Sequence, residues 1–211
     1  MTTESIAVRP PRNRDVFVAS LYRLHSGLNS TNAHRVADAR RVLAALRRSL
    51  VSPHQASAAY DLVFGAEPAP GEQDAWLLTA GLFGIHPQAR ASGRTLGIAM
   101  RDLKGDGQGM IDRRFEQLLA VDRRNLPHYL RQAVRLLKSK QIALDYGRLL
   151  DDVAVLLDAG AAEEQKRRVR LAWARDFHKP RHAAVVPATG DDSADDSEES
   201  AHVNNTNDTE N

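Results

Sequence analysis

Basic side chains repeat at helical spacing in one segment of the chain, between Leu126 and Lys140. Arg131, Arg135 and Lys138 stand at positions i, i+4 and i+7, which places them along one face of an α-helix. The segment contains no Asp or Glu, whereas an ordinary solvated helix usually interleaves both signs of charge. The guanidinium group is planar and can bind two phosphate oxygens at once. We therefore predict that this face contacts phosphate groups.

Other basic residues follow the same logic, and 24 of the 29 basic residues are arginines. Contacts from arginine to phosphate position a protein on a nucleic acid without reading its base sequence. The aromatic residues stand at helical spacing typical of a core, so they do not predict a platform for stacking bases. The remaining basic groups are two pairs seven residues apart (Arg40 with Arg47, Arg41 with Arg48), the pair Arg113–Arg114, and a dense set near the C-terminus, Lys166, Arg167, Arg168, Arg170 and Arg175.

The formal net charge of +2 conceals an asymmetry along the chain. Eight of the 27 acidic residues lie between Asp191 and Glu210, a stretch that has no Lys or Arg. The chain before Asp191 therefore carries about ten more basic than acidic residues, an excess that attracts nucleic acids. Many soluble domains are equally basic, so the charge alone leaves a plain solvated surface open.

The chain lacks the residues and motifs that several kinds of catalytic chemistry require. The chain has no cysteine, which excludes disulfides, thiol catalysis and cysteine zinc sites. It has no phosphate-binding Gly-Lys-Ser loop, dinucleotide fingerprint, HExxH or nucleophile elbow. The histidines are scattered, and Pro180 interrupts the helix between His178 and His182. Asp151–Asp152 is typical of a solvated pair of carboxylates. We expect no enzyme activity, no metal site and no cofactor.

The apolar residues recur with helical periodicity almost throughout, and no alternating β-branched run predicts a strand. His86-Pro87 should end one strongly apolar helix, and Pro127 should open another in its first turn. The pattern predicts an all-α bundle of about nine helices in two packed halves, with Trp76 and Phe83 in the core. The predicted helices are 15–28, 32–50, a piece from Pro53 through Phe64, 72–85, 96–103, one around 111–119, 126–140, 145–157 and 163–177, with a flexible connection over 104–109.

The same sequence pattern predicts four parts of the chain. A flexible leader (1–14) precedes an N-terminal helical part (15–90) and a C-terminal helical part (91–182). The acidic tail (183–211) has too little apolar surface to order itself; it could act as a solubiliser or compete with nucleic acid for the basic face. The leader has no apolar core typical of a signal peptide, and no apolar run is long enough for a membrane span. We expect a soluble, cytoplasmic protein.

Six segments in this order resemble the CasB family, the small subunit of the type I-E CRISPR surveillance complex (Cascade). The resemblance covers roughly residues 15–180, and the conjunction of segments is more specific than any one of them. The segments are LAALRRSL (Leu43–Leu50), WLLTAGLFGIHP (Trp76–Pro87), TLGIAMRDL (Thr95–Leu103), DRRFEQLLAVDR (Asp112–Arg123), LRQAVRLLKSKQIALDYGRLLDDV (Leu130–Val153) and RRVRLAWARDF (Arg167–Phe177).

The resemblance implies an all-α, non-catalytic subunit that works in antiviral defence. It implies CRISPR RNA and target DNA as partners, together with the backbone subunits, the large subunit and a second copy of the chain. It also implies that an arginine-rich face helps to hold the displaced DNA strand of the R-loop. Some relatives have arginine where this chain has Ile98, and Arg94 and Arg101 flank that position. The residues implied as nucleic-acid contacts are Arg47, Arg48, Arg94, Arg101, Arg113, Arg114, Arg131, Arg135, Lys138 and Lys140.

Two other readings stay open. A helical protein–protein adaptor could use the basic face to bind an acidic protein, and nucleic-acid binding by the isolated chain would distinguish it. A stand-alone nucleic-acid-binding protein would need a compact helix-turn-helix, for which no short turn here provides a convincing candidate.

Overall fold

The computed structural model describes residues 13–52, 57–104 and 108–180. Within these ranges the chain forms nine α-helices and a 3₁₀ turn at Pro70–Glu72, and it contains no strand. The predicted all-α fold is therefore confirmed. The helices are α1 (Asn13–Leu28), α2 (Ala33–Ser49), α3 (Ser57–Phe64), α4 (Gln73–Ile85), α5 (Leu96–Asp102), α6 (Gln108–Ala120), α7 (Leu126–Ser139), α8 (Tyr146–Leu157) and α9 (Glu163–His178).

Three helices begin at a polar residue whose side chain accepts hydrogen bonds from the first turn. Asn32 does so for α2, Thr95 for α5 and Asp145 for α8. These residue types are preferred at this position because the first amide groups of a helix have no partner within it. Pro127 lies in the first turn of α7, as its position in the sequence predicts.

Two helices begin inside segments that were predicted to be non-helical. α1 begins at Asn13, inside the predicted leader, because Arg14 is anchored to α8: its Nη2 donates to the carbonyl oxygen of Gly147 at 2.6 Å, and its guanidinium pairs with Asp151. α6 begins at Gln108, inside the predicted connection over 104–109, of which residues 105–107 lie outside the described ranges.

Helix α4 lies at the centre of the fold. Ten of its 13 residues are buried, including Trp76 and Phe83, so it is enclosed on every side rather than on one stripe. It packs against α2, α7 and α8. One continuous hydrophobic core contains residues from both predicted halves. The boundary between residues 90 and 91 stays a prediction.

Gly84 lets α4 approach α2 closely. A methyl group at this position would lie 2.9 Å from both the amide nitrogen of Arg47 and the carbonyl oxygen of Leu43. Both atoms belong to the backbone of α2, so neither can move aside cheaply. The glycine therefore sets the spacing of the two helices beside one of the basic residues.

Tyr146, at the start of α8, holds the chain at the end of α4. Its buried hydroxyl lies 3.1 Å from the carbonyl oxygen of His86 and 3.3 Å from that of Leu82, and its one hydrogen is shared between these two acceptors. Its backbone amide donates to the hydroxyl oxygen of Tyr22, on α1, at 3.2 Å. These bonds fix the start of the loop from His86 to Ala91, which borders the cleft described below.

Polar contacts between side chains join the C-terminal helices. Thr95 Oγ1 donates to the Asp176 carboxylate at 2.8 Å, and the Trp173 indole donates to Asp152 at 2.6 Å. The described residues up to Lys179 belong to one compact unit, and a second unit begins at Pro180. Beyond Pro180 the chain, including the predicted acidic tail, lies outside the described residues. No helix in the described part of the chain is long and apolar enough to cross a membrane.

Candidate nucleic-acid interface

A cleft of about 690 Å³ collects basic side chains from three parts of the fold. Arg40 and Arg47 come from α2, Arg90 from the loop after α4, and Lys138 from the last turn of α7. No Asp or Glu is among the described residues that line it. Four positive charges without a neutralising carboxylate produce a positive potential that attracts phosphate.

The interior of this cleft is largely apolar. It is lined by aliphatic groups from four elements, and Gly84 contributes a surface with no side chain. Two histidines and two glutamines add polar groups. The lining residues other than the four cations and Gly84 are Leu28, Leu43, Pro87, Ala89, Ala91 and Ala143, with His25, His86, Gln88 and Gln141.

The cations of the cleft come from helix spacing and one loop. Arg40 and Arg47 are two turns apart on α2 and both are exposed, so they form a row along the cleft. Arg90 lies with its guanidinium carbon 5.6 Å from the centre of the Tyr22 ring, within the range of a cation–π contact. This contact orients Arg90 while leaving its N–H groups available to a ligand.

His86 is neutral at neutral pH in this setting. Burial lowers the pKa of its imidazole, and the nearby charge of Lys138 lowers that pKa further. The hydrogen bond from Nε2 to the carbonyl oxygen of Ile142, 2.9 Å long, acts in the opposite direction. Burial likewise lowers the pKa of His25. The positive charge of the cleft therefore comes from arginine and lysine.

The predicted basic row on α7 is divided between two roles. Arg131 Nη1 donates to the carbonyl oxygen of Leu50 at 2.8 Å, and its Nε donates to that of Pro127 at 3.3 Å. Arg135 and Lys138 are exposed on the same side of the helix, with Lys138 in the cleft. Lys140, just beyond the helix, is also exposed.

Arg94 and Arg101 are engaged with the protein itself. Arg94 pairs with Asp102 at 2.5 Å and donates to the carbonyl oxygen of Ala143 at 3.2 Å. Arg101, whose side chain is 19% exposed, reaches the carbonyl oxygen of Asp176 at 3.4 Å. Both guanidinium groups thus hold the loop after α7 and the end of α9 against α5.

The other predicted contacts lie away from the cleft lining. Arg48 is exposed near the end of α2, and Arg113 and Arg114 are exposed on α6. Arg114 also borders a small cavity against Gln132 and Leu136 of α7. The structure therefore brings Arg47 and Lys138 together in one site and leaves these three at separate exposed positions.

Two members of the cleft were not among the predicted contact residues. The sequence analysis paired Arg40 with Arg47 by their seven-residue spacing on one helix, but did not name Arg40 as a contact. Arg90 gave no signal in the sequence, because it lies in a loop where no helical period applies. In the described part of the chain, no group of three or more histidine or acidic side chains is placed to hold a metal ion.

Comparisons by sequence and by structure both find CRISPR-associated proteins. The model of the family described as CRISPR-associated protein Cse2 matches residues 42–178. A CRISPR-associated protein Cse2 from Thermus thermophilus is 33% identical over 107 residues, which is 51% of this chain and 57% of that relative. The match thus spans little more than half the length of that curated relative.

Solved structures share the fold over more of the chain. CasB from Thermobifida fusca superposes with a TM-score of 0.63 at 25% identity, covering 80% of this chain and 99% of that one. CasB from Thermus thermophilus gives a TM-score of 0.59 at 30% identity, covering 78% and 96% of the two chains. A chain of a CRISPR RNA-guided surveillance complex gives 0.57 at 20% identity, covering 79% and 91%, and at that identity the likeness is one of fold.

Proposed function

Because the chain belongs to the CRISPR-associated Cse2 family, we propose that it is the small, non-catalytic subunit of a type I-E CRISPR RNA-guided surveillance complex in the cytoplasm. Its basic cleft holds a nucleic-acid backbone and thereby stabilises the R-loop formed when guide RNA pairs with target DNA. The proposed partners are CRISPR RNA, target DNA, the backbone subunits, the large subunit and a second copy of this chain.

The observation that carries the proposal is the cleft with Arg40, Arg47, Arg90 and Lys138 and without a lining carboxylate. Surface cations in folded proteins commonly pair with nearby acids, as Arg41 does with Asp38 on the same helix. A cluster of cations without a lining carboxylate is instead suited to bind an anion from outside the protein. The phosphate diesters of a nucleic acid are such anions, spaced along the strand.

The predicted contact residues carry different weight in this proposal. Arg47 and Lys138 act from within the cleft, joined by Arg40 and Arg90. Arg94, Arg101 and Arg131 already donate hydrogen bonds within the chain, so we expect them to support the frame more than to bind phosphate. The exposed residues that extend the contact surface are Arg48, Arg113, Arg114, Arg135 and Lys140.

The mechanism is electrostatic holding. Formation of an R-loop is nearly balanced in free energy, because the guide–target duplex replaces a DNA duplex of similar stability. A modest number of contacts to the strand left unpaired is therefore enough to shift the balance. If the four cations of the cleft each neutralise one phosphate of a single strand, they contribute about 3 to the slope of log affinity against log salt.

The test has two stages. A pull-down of the tagged chain from its own host, followed by RNA sequencing, should recover short CRISPR RNAs and several partner proteins. R-loop lifetime is then measured in the complex purified with the Arg47→Ala/Lys138→Ala chain. We expect the complex to assemble and its R-loop to dissociate faster.

The matched control is Arg123→Ala/Arg124→Ala, which removes the same charge from two exposed residues preceding the opposite end of α7. This control should leave the lifetime unchanged. Recovery of the chain alone, from cells that express the other subunits, would overturn the assignment to the complex. Equal R-loop lifetimes for both double variants and the wild type would overturn the role of the cleft.

A further inference from the structure

We infer that the cleft accepts one unpaired nucleotide of the bound strand, with its phosphate against the cations and its base in the apolar interior. This inference rests on the proposed function, because it names the chemical unit that the basic cleft recognises. It adds a property that backbone holding lacks, namely selection of single-stranded over double-stranded nucleic acid.

The first argument is the volume of the cleft. Its volume of about 690 Å³ falls within the roughly 300–1,000 Å³ typical of sites for small molecules and cofactors. A surface that only follows a phosphate backbone needs a shallow basic stripe, since phosphates project outward from a strand. A recess of this volume beside the basic residues leaves room for a group attached to the phosphate.

The second argument is the separation of charged from apolar lining. Arg40, Arg47 and Lys138 are exposed, whereas Leu43 is buried and Leu28 and Ala143 are half-buried. Phosphate has no apolar surface to place against these aliphatic groups. A nucleobase has two apolar faces, and its burial there would remove apolar area from water. The lining thus fits a nucleotide better than a bare phosphate.

The occupant must be unpaired. In a duplex the bases are stacked and paired inside the helix, so a cleft reached from the phosphate side cannot take one without breaking a pair. In a single strand the base turns out freely. The displaced DNA strand and an unpaired stretch of RNA offer the same phosphate-and-base chemistry.

The experiment measures binding of the full-length chain to fluorescent 15-nucleotide strands at one fixed salt concentration. The strands are oligo(dC), a deoxyribose-phosphate strand of equal length without bases, oligo(rC), and a DNA duplex of equal length. We expect oligo(dC) to bind about fivefold or more tightly than the abasic strand, the scale of one base contact. The duplex should also bind more weakly than oligo(dC). Comparison of oligo(dC) with oligo(rC) assigns the source as DNA or RNA.

A variant that fills the cleft separates base from phosphate binding. Ala91→Leu/Ala143→Leu adds bulk at two half-buried loop positions and keeps every charge. It should remove the preference for oligo(dC) over the abasic strand and leave the salt slope unchanged. Ala37→Leu, at an exposed position on α2 outside the cleft, is the matched control and should keep the preference. Far-ultraviolet circular dichroism and thermal melting verify that the variants fold.

These binding measurements distinguish failure of the base site from failure of the proposed function. Equal affinity for oligo(dC) and the abasic strand would overturn the base site while leaving backbone holding intact. Failure to bind any strand would overturn both. A base preference that persists in the filled variant, with a melting temperature like that of the wild type, would place base recognition elsewhere on the chain and overturn the inference.

Discussion

Arg131 Nη1, on α7, donates a hydrogen bond to the carbonyl oxygen of Leu50 at 2.8 Å. Leu50 caps the C-terminal end of α2, where the last carbonyl groups of a helix have no partner within it. The bond therefore joins the two helices that supply Arg40, Arg47 and Lys138 to the cleft. The sequence predicted Arg131 as a phosphate contact. In the structure Arg131 links α2 to α7, the two helices that carry three of the cations of the cleft.

Replacement of Arg131 tests this linking role. We expect Arg131→Ala to lower the free energy of unfolding by about 1–3 kcal/mol, because a carbonyl group at the end of α2 loses its charged donor. Urea denaturation provides the measurement. Arg135→Ala is the matched control, since it removes an exposed arginine of the same helix and should change stability by less than about 0.5 kcal/mol. Equal losses in the two variants would contradict the linking role.

The salt dependence of binding tests the cleft cations in the isolated chain. The Arg47→Ala/Lys138→Ala variant should bind a 15-nucleotide single strand with a salt slope reduced by about 1.4, since two phosphate contacts are lost. Titrations at several salt concentrations give the slope directly. The Arg123→Ala/Arg124→Ala variant has the same net charge and should retain the wild-type slope. A similar reduction in both variants would indicate attraction by net charge rather than a site.

The helices could be predicted from the sequence because their signals are local. Asn32, Thr95 and Asp145 mark helix starts, and His86-Pro87 marks an end, each through atoms a few residues away. The cleft could be predicted only in part. Arg47 and Lys138 were separate predictions, and what joins them is the packing of α2 and α7 around α4, which depends on tertiary contacts.

The backbone partners of the arginines lay beyond sequence reasoning for a different reason. Arg131 donates to Leu50, 81 residues away, and Arg94 donates to Ala143, 49 residues away. A carbonyl acceptor is present in every residue, so it leaves no mark in the pattern of side chains. Side-chain spacing gives the face of a helix on which an arginine lies, but not whether its donors are already bonded.

Asp152 was predicted from the sequence to be solvated, but it is buried, and its buried carboxylate predicts a specific pH dependence of stability. Burial raises its pKa, although the hydrogen bond from Trp173 and the charges of Arg148 and Arg14 lower it, and Asp176 adds to the rise. A raised pKa in the folded state means that the folded chain binds the proton more tightly than the unfolded chain. This contribution to stability is therefore present at pH values below the unfolded pKa and is lost as the pH rises through the folded pKa.

A pair of variants separates the charge of Asp152 from its hydrogen bond. Asp152→Asn keeps an oxygen to accept from the Trp173 indole, 2.6 Å away in the wild type, so stability at pH 7 should be retained and should vary less between pH 4 and 7. Asp152→Ala leaves the buried N–H without an acceptor and should lose about 1–3 kcal/mol. Denaturation across this pH range is the measurement. An Asn variant as unstable as the Ala variant would show that the charge itself is needed.

The buried imidazole of His86 predicts a pH dependence of stability opposite to that of Asp152, with a loss of stability at mildly acidic pH. Burial lowers its pKa, so protons bind the unfolded chain more readily than the folded one. Stability should be constant above the unfolded value near 6.5 and fall as the pH drops from there towards the folded pKa. Because Lys138 also lowers that pKa, Lys138→Met should raise it in a proton NMR titration of the His86 ring. An unchanged titration would mean that Lys138 does not act on the ring.

Gly84 links the packing of α4 to the geometry of the cleft. A methyl group added there would lie 2.9 Å from two backbone atoms of α2, at Leu43 and Arg47, so Gly84→Ala must push α2 away from α4. We expect a loss of about 1–3 kcal/mol in the free energy of unfolding, as for other overpacked cores. We also expect weaker binding of single strands, because Arg40 and Arg47 move with α2 relative to Lys138. Denaturation and strand titration on the same samples measure both effects.

The matched control is Gly109→Ala on α6, where nothing lies within 4 Å of the added group. This variant should leave strand binding unchanged. It should stabilise the chain slightly, since alanine favours helix over glycine. Full stability together with wild-type affinity in Gly84→Ala would mean that α2 and α4 tolerate a wider spacing, and the close approach would then not be what sets the cleft.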